Sequence, residues 1–85
     1  MKLAFTSSFK RDYQELPKNI QEQADAQIER MLSNPRHPSL RIKKMEGHRS
    51  IWEARISTSY RMTFQIVKDT YLLRRVGTHD ILKQP

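Results

Sequence analysis

The chain has 85 residues, 36% hydrophobic and 29% charged, with no cysteine and a net charge of +7. That length allows one core and excludes a second, and the missing cysteines exclude disulfide scaffolds and thiolate metal centres. The charge is one-sided, because residues 1–35 hold five basic and five acidic groups while residues 36–85 hold eleven and four, a segregation that points to a polyanionic partner such as nucleic acid.

Residues 2–6, KLAFT, read as a short first strand. Thr6, Ser7 and Ser8 offer N-cap oxygens, and Phe9, Tyr13 and Leu16 follow at i, i+4 and i+7, a helical stripe. Pro17 suits the opening position of a second helix. Its stripe is Ile20, Ala24, Ile28, Met31 and Leu32, and Ser33-Asn34-Pro35 ends it. The two helices form an antiparallel hairpin. Arg36-His37-Pro38 is a loop, Leu40 to Met45 alternates loosely and is compatible with a strand, and Glu46-Gly47-His48-Arg49 is a turn. In IWEARIS the period is clearly two, with Trp52, Ala54 and Ile56 on one face and Glu53, Arg55 and Ser57 on the other. After the Ser57-Thr58-Ser59 turn, YRMTFQIV puts Tyr60, Met62, Phe64 and Ile66 on one face and Arg61, Thr63 and Gln65 on the other. Tyr71 to Val76 makes a last, interior strand of ambiguous parity, since Leu72 and Leu73 are adjacent.

The expected architecture is an α+β, two-layer β-α-α-β-β-β domain spanning residues 1–85. A helical hairpin packs on one face of a mainly antiparallel four-stranded sheet, and the opposite face is charged. No apolar run is long enough to span a bilayer, and the N-terminal stretch lacks a signal-peptide core because Lys10, Arg11 and Asp12 interrupt it. A cytoplasmic protein with no membrane partner is expected.

Exposed sheet faces are usually polar, so a Glu53–arginine ion pair on a solvated surface accounts for this one as well as a functional site would. Arginine forks also match phosphate oxygens, and Arg55 and Arg61 flank one short turn on one face. His79 tips the balance, since the last strand delivers it to the edge of that face and imidazole is the commonest general acid/base. Asp80 beside it is a candidate either to orient the ring or to raise its pKa, although adjacent residues need not face each other. His37 and His48 sit in turn-like segments and read as surface residues. No histidine spacing matches a metal motif, and two glycines are too few for a phosphate or dinucleotide loop. No metal and no cofactor are expected.

The element order, the segment IWEARISTSYRMTFQIV and the closing LLRRVGTHDIL together resemble the RelE/ParE superfamily of bacterial toxin–antitoxin toxins. The most specific parts are Tyr60-Arg61 opening a hydrophobic strand and Gly77-Thr78-His79. The resemblance implies, in its ribonuclease branch, a metal-independent endoribonuclease that cleaves mRNA in the ribosomal A site and is held by a cognate antitoxin. In that chemistry the 2′-hydroxyl attacks the adjacent phosphate, giving a 2′,3′-cyclic phosphate and a 5′-hydroxyl. It implies Arg61 on the scissile phosphate, Arg55 beside it, His79 as general acid and Glu53 as candidate base. Lys43, Lys44, Arg49 and Arg75 are expected to bind RNA. A gyrase inhibitor of the ParE type on the same fold, or a plain RNA-binding module, is the alternative. The resemblance makes His79 the discriminating residue.

Overall fold

The computed structural model describes residues 1–85. Strand β1 (Lys2–Phe5) leads into helices α1 (Ser7–Glu15) and α2 (Lys18–Ser33); after a 3₁₀ turn (Pro38–Leu40) come β2 (Lys43–Lys44), β3 (Trp52–Arg55), β4 (Tyr60–Val67) and β5 (Thr70–Thr78), and a 3₁₀ segment (His79–Lys83) follows. Thr6 is the cap of α1: its hydroxyl accepts from the Phe9 amide at 3.0 Å and donates to the Arg74 carbonyl at 2.7 Å. One side chain thus starts the helix and ties it to β5.

The sheet has five strands in the order β1-β5-β4-β3-β2, one more than expected. The addition is the two-residue β2, which pairs antiparallel with β3. β1 lies parallel to β5, and the remaining pairs are antiparallel. The two helices cover one face. Phe9, Leu16, Ile20, Ala24, Ile28 and Met31 meet Ala54, Ile56, Met62, Phe64, Tyr71, Leu73 and Val76 in one core. Removing a fully buried Phe or Leu side chain from water contributes about 1.5–3 kcal/mol, so this cluster is what holds helices to sheet. Leu32 and Ile66, read as core positions, are 38% and 49% exposed. Ile66 sits near the end of β4, beyond the stretch that β3 pairs with, which leaves it less covered.

A β-bulge resolves the parity of the last strand. Thr63 pairs with Arg75 but Phe64 pairs with Leu73, so Arg74 is the extra residue on β5. The bulge lets Tyr71, Leu73 and Val76 all reach the core although their spacing breaks strict alternation. The second face is not the open charged surface expected. Residues 79–85 fold back across it, burying Ile81, and the backbone oxygen of Pro85 accepts from the fully buried Thr63 hydroxyl at 3.0 Å and from Arg74 Nε at 3.1 Å.

Candidate active site

Two rows of outward side chains cross the sheet. The first is Arg55–Arg61–Gly77, on β3, β4 and β5. The second is Lys43–Glu53–Thr63–Arg75, from β2 to β5. Where the C-terminal segment stops covering them, a cleft of about 550 Å³ opens. Arg41, Lys43, Glu53, Arg55, Arg61 and His79 line it, with Ala54 and Leu82 as its apolar wall. Four cationic side chains face one carboxylate there, so its field favours an anion.

Arg55 and Arg61 are directly opposite across the strands, an arrangement that disfavours two like charges. Backbone carbonyls of the intervening turn hold them. Arg61 Nη1 donates to the oxygens of Ser57 at 2.7 Å, Thr58 at 3.2 Å and Tyr60 at 2.9 Å. Arg55 Nε donates to the same Ser57 oxygen at 3.3 Å. Neither guanidinium has a carboxylate within ion-pair distance. Burial, and then the repulsion of Arg55, push the pKa of Arg61 below its ordinary value; Arg41 adds to this and Glu53 opposes it. Fixed, unpaired positive charge of this kind is what an incoming phosphate stabilises.

Glu53 points outward, as its strand position requires, but it is buried rather than open. Its residue is 7% exposed, and Lys43 Nζ, its cross-strand neighbour, lies 3.1 Å from its carboxylate. The ion pair of this face is therefore with lysine and not with arginine. Because the lysine side chain is largely exposed, the pair adds little to stability; its consequence is to hold the carboxylate in the cleft wall.

His79 opens the last 3₁₀ segment, is exposed, and reaches the cleft. Asp80 points elsewhere, pairing loosely with Lys83 at 4.0 Å. His79 lies in the chain midway between two residues that approach closely: a Cβ on Gly77 would lie 2.9 Å from Cγ2 of Ile81, so glycine leaves the room that Ile81 occupies.

Of the expected RNA-binding residues, Lys43 is in the cleft, and Lys44 and Arg49 are exposed on and beyond β2. Arg75 is not brought to the cleft. Asp12 of α1 takes its Nε at 2.6 Å and Nη2 at 3.2 Å, and also accepts the Val76 amide at 3.2 Å. The hydrogen bonds that Arg75 donates to Asp12 raise its pKa; this arginine ties helix to strand. His37 is a cap: its Nδ1 accepts from the Ser39 amide at 3.1 Å and starts the 3₁₀ turn. Sequence reasoning missed Arg41, which enters the cleft from a left-handed backbone conformation, φ 46°. A non-glycine residue there costs on the order of 1 kcal/mol, and arginine carries no local signal for it. It also missed Gln27, a polar residue at the i+7 position of the α2 stripe, 6% exposed, whose Nε2 donates to the Arg55 carbonyl at 2.8 Å.

No group of three His, Cys, Asp or Glu side chains that could hold a metal ion occurs, and no helix is long and apolar enough to cross a membrane. The model of the ParE-like toxin domain matches residues 18–80. Among solved structures, the fold is shared with YafQ from E. coli strain BL21(DE3), with a TM-score of 0.78, 12% identity and coverage of 95% of this chain and 96% of that one. A YoeB/ParE toxin from Agrobacterium tumefaciens gives 0.78 at 20% identity over 93% and 99% of the two chains. The RelB-RelE antitoxin–toxin complex from Methanococcus jannaschii gives 0.75 at 23% identity over 94% of each. No curated protein matches by sequence. With a family model covering residues 18–80 and a fold shared with YafQ, YoeB and RelE toxins, the chain belongs to the ParE-like toxin family, within the RelE/ParE superfamily of type II toxin–antitoxin toxins.

Proposed function

We propose that the protein is the toxin of a type II pair and acts as a metal-independent, ribosome-dependent mRNA endoribonuclease in the cytoplasm. The observation that carries this reading is the convergence of Glu53, Arg55, Arg61 and His79 on one cleft. Cleavage by the neighbouring 2′-hydroxyl needs a base, an acid and cations against the phosphorane charge. Glu53 takes the 2′-hydroxyl proton as its oxygen attacks phosphorus. The P–O5′ bond breaks, His79 delivers a proton to the departing 5′-oxygen, and the products are a 2′,3′-cyclic phosphate and a 5′-hydroxyl. Arg55, Arg61 and Arg41 supply the positive charge, already fixed before the reaction starts. Lys43, in place beside Glu53, orients the carboxylate.

A cognate antitoxin is the expected partner, and the RelE neighbour from Methanococcus jannaschii is itself in complex with RelB. A gyrase poison is the second reading, which the ParE-like name of the family favours. One experiment tests both. Purified protein is added to ribosomes programmed with a defined mRNA, and separately to gyrase with supercoiled DNA. Cleaved mRNA ending in a cyclic phosphate supports the nuclease, and His79→Gln should lower single-turnover cleavage about 10²–10⁴-fold while leaving ribosome binding intact. Trapped gyrase–DNA complexes with intact mRNA would overturn it.

A further inference from the structure

A second cavity, of about 450 Å³, opens on the other side of Arg55, between α2 and the β3–β4 turn. Its wall is made by Gln23, Gln27, Arg30, Ser39, Arg55 and Ser57, and no carboxylate belongs to it. Arg30 is held on one side only: Nη1 donates to Gln27 Oε1 at 2.7 Å and to Ser39 Oγ at 3.2 Å. Gln27 is in turn fixed by its donation to the Arg55 carbonyl at 2.8 Å. Neither Arg30 nor Arg55 has an acidic partner within ion-pair distance. Arg55 lines both this cavity and the active-site cleft, so the two are joined through one side chain.

We propose that this cavity is a second phosphate subsite, which takes a phosphodiester of the RNA strand flanking the scissile one, with Arg30 as its anchor. A guanidinium pre-set by neutral hydrogen bonds and left without a counter-ion is built to accept an anion, since its remaining N–H groups need an acceptor and its own side-chain entropy is already spent. Gln27 serves both sites: the same amide that orients Arg30 holds the β3 backbone from which Arg55 reaches the cleft. An acidic protein segment would meet the same charge, but the continuity with a cleft that binds a phosphate favours a strand running through both. The proposal deepens the nuclease reading and rests on it for the identity of the strand.

The test measures binding of a short 2′-O-methyl RNA, which cannot be cleaved, by fluorescence anisotropy between 50 and 200 mM salt, for the wild type, Arg30→Gln and Arg30→Lys. For single strands each phosphate contact contributes about 0.7 to the slope of log K against log salt. Arg30→Gln should bind more weakly and lose about 0.7 of that slope, so the wild type forfeits about 2.6-fold more affinity than the variant over that fourfold range. Arg30→Lys should restore the slope, which a purely structural role for Arg30 would not require. If Arg30→Gln does not fold, as read by circular dichroism, Arg30→Lys is decisive through its affinity, which should fall because an ammonium cannot reproduce the fork. An unchanged slope and affinity in the substituted proteins, or no RNA binding by the wild type, overturns the subsite. So does a variant that keeps RNA binding but loses binding to a glutamate-rich peptide, which would assign the cavity to an acidic protein segment. Arg30-dependent binding without any mRNA cleavage would instead retain the subsite and refute the nuclease.

Discussion

Replacing Gly77 by alanine should disturb the site without touching it. The backbone of Gly77 is not left-handed, so alanine is conformationally acceptable and would by itself stabilise by about 0.4–1 kcal/mol through the unfolded chain. The added methyl, however, would sit 2.9 Å from Cγ2 of Ile81, well inside van der Waals contact. Ile81 is β-branched and stiff at χ1 and 6% exposed, so it has no free rotamer to move into. Overpacking a filled site costs about 1–3 kcal/mol. The net loss should be about 1–2 kcal/mol, a fall in Tm of roughly 5–15 °C for a domain of this size. The displaced segment begins at His79, so cleavage should fall more than stability alone explains at a temperature where the variant is folded. Ile81→Leu moves the branch away from Cβ at similar volume, and combined with Gly77→Ala it should recover about 1 kcal/mol as a coupling energy. Urea and thermal unfolding followed by circular dichroism measure all four corners of the cycle. A Tm for Gly77→Ala within about 2 °C of the wild type, with coupling below about 0.3 kcal/mol, would refute the close-contact reasoning.

Arg61→Ala should leave the circular dichroism spectrum of the fold in place, because the side chain faces the cleft, yet lower single-turnover cleavage about 10²–10³-fold by removing a donor to the transition state; activity within a few-fold of wild type would remove Arg61 from the mechanism. Tyr13 should report on α1–α2 packing through pH. Its hydroxyl donates to Asp25 Oδ1 at 2.8 Å, and that hydrogen bond, with burial and the carboxylate's charge, raises its pKa. A raised folded-state value means the contribution is complete below the unfolded pKa of about 10 and is lost as pH climbs through the folded one. The stability gap between the wild type and Tyr13→Phe, measured by urea unfolding from pH 8 to pH 11, should therefore narrow at the alkaline end, and a constant gap would contradict the assignment.

The elements that repeat a short-range pattern were legible in the chain itself. The stripe of α2, the alternation of β3 and the first half of β4, and the Thr6 cap depend on residues a few positions apart, and burial merely selects the face already marked. The same alternation brings Arg55 and Arg61 to one side of the sheet. What it cannot show is how that side is roofed. Alternation marks Thr63 and Glu53 as outward, and they are, but the folded-back residues 79–85 and the cross-strand Lys43 bury them. The bulge at Arg74 appears only in the pairing of β4 with β5, where the Thr6 hydroxyl, 68 positions away, donates to the Arg74 carbonyl. Arg41 enters the cleft through a left-handed turn for which arginine has no preference, and Gln27 is buried because the Arg55 carbonyl needs a donor 28 positions away. Local pattern decides which way a side chain points, because the backbone period does; whether it ends in water, in a cleft or under another segment depends on which distant parts of the chain arrive beside it, and only packing the whole molecule settles that.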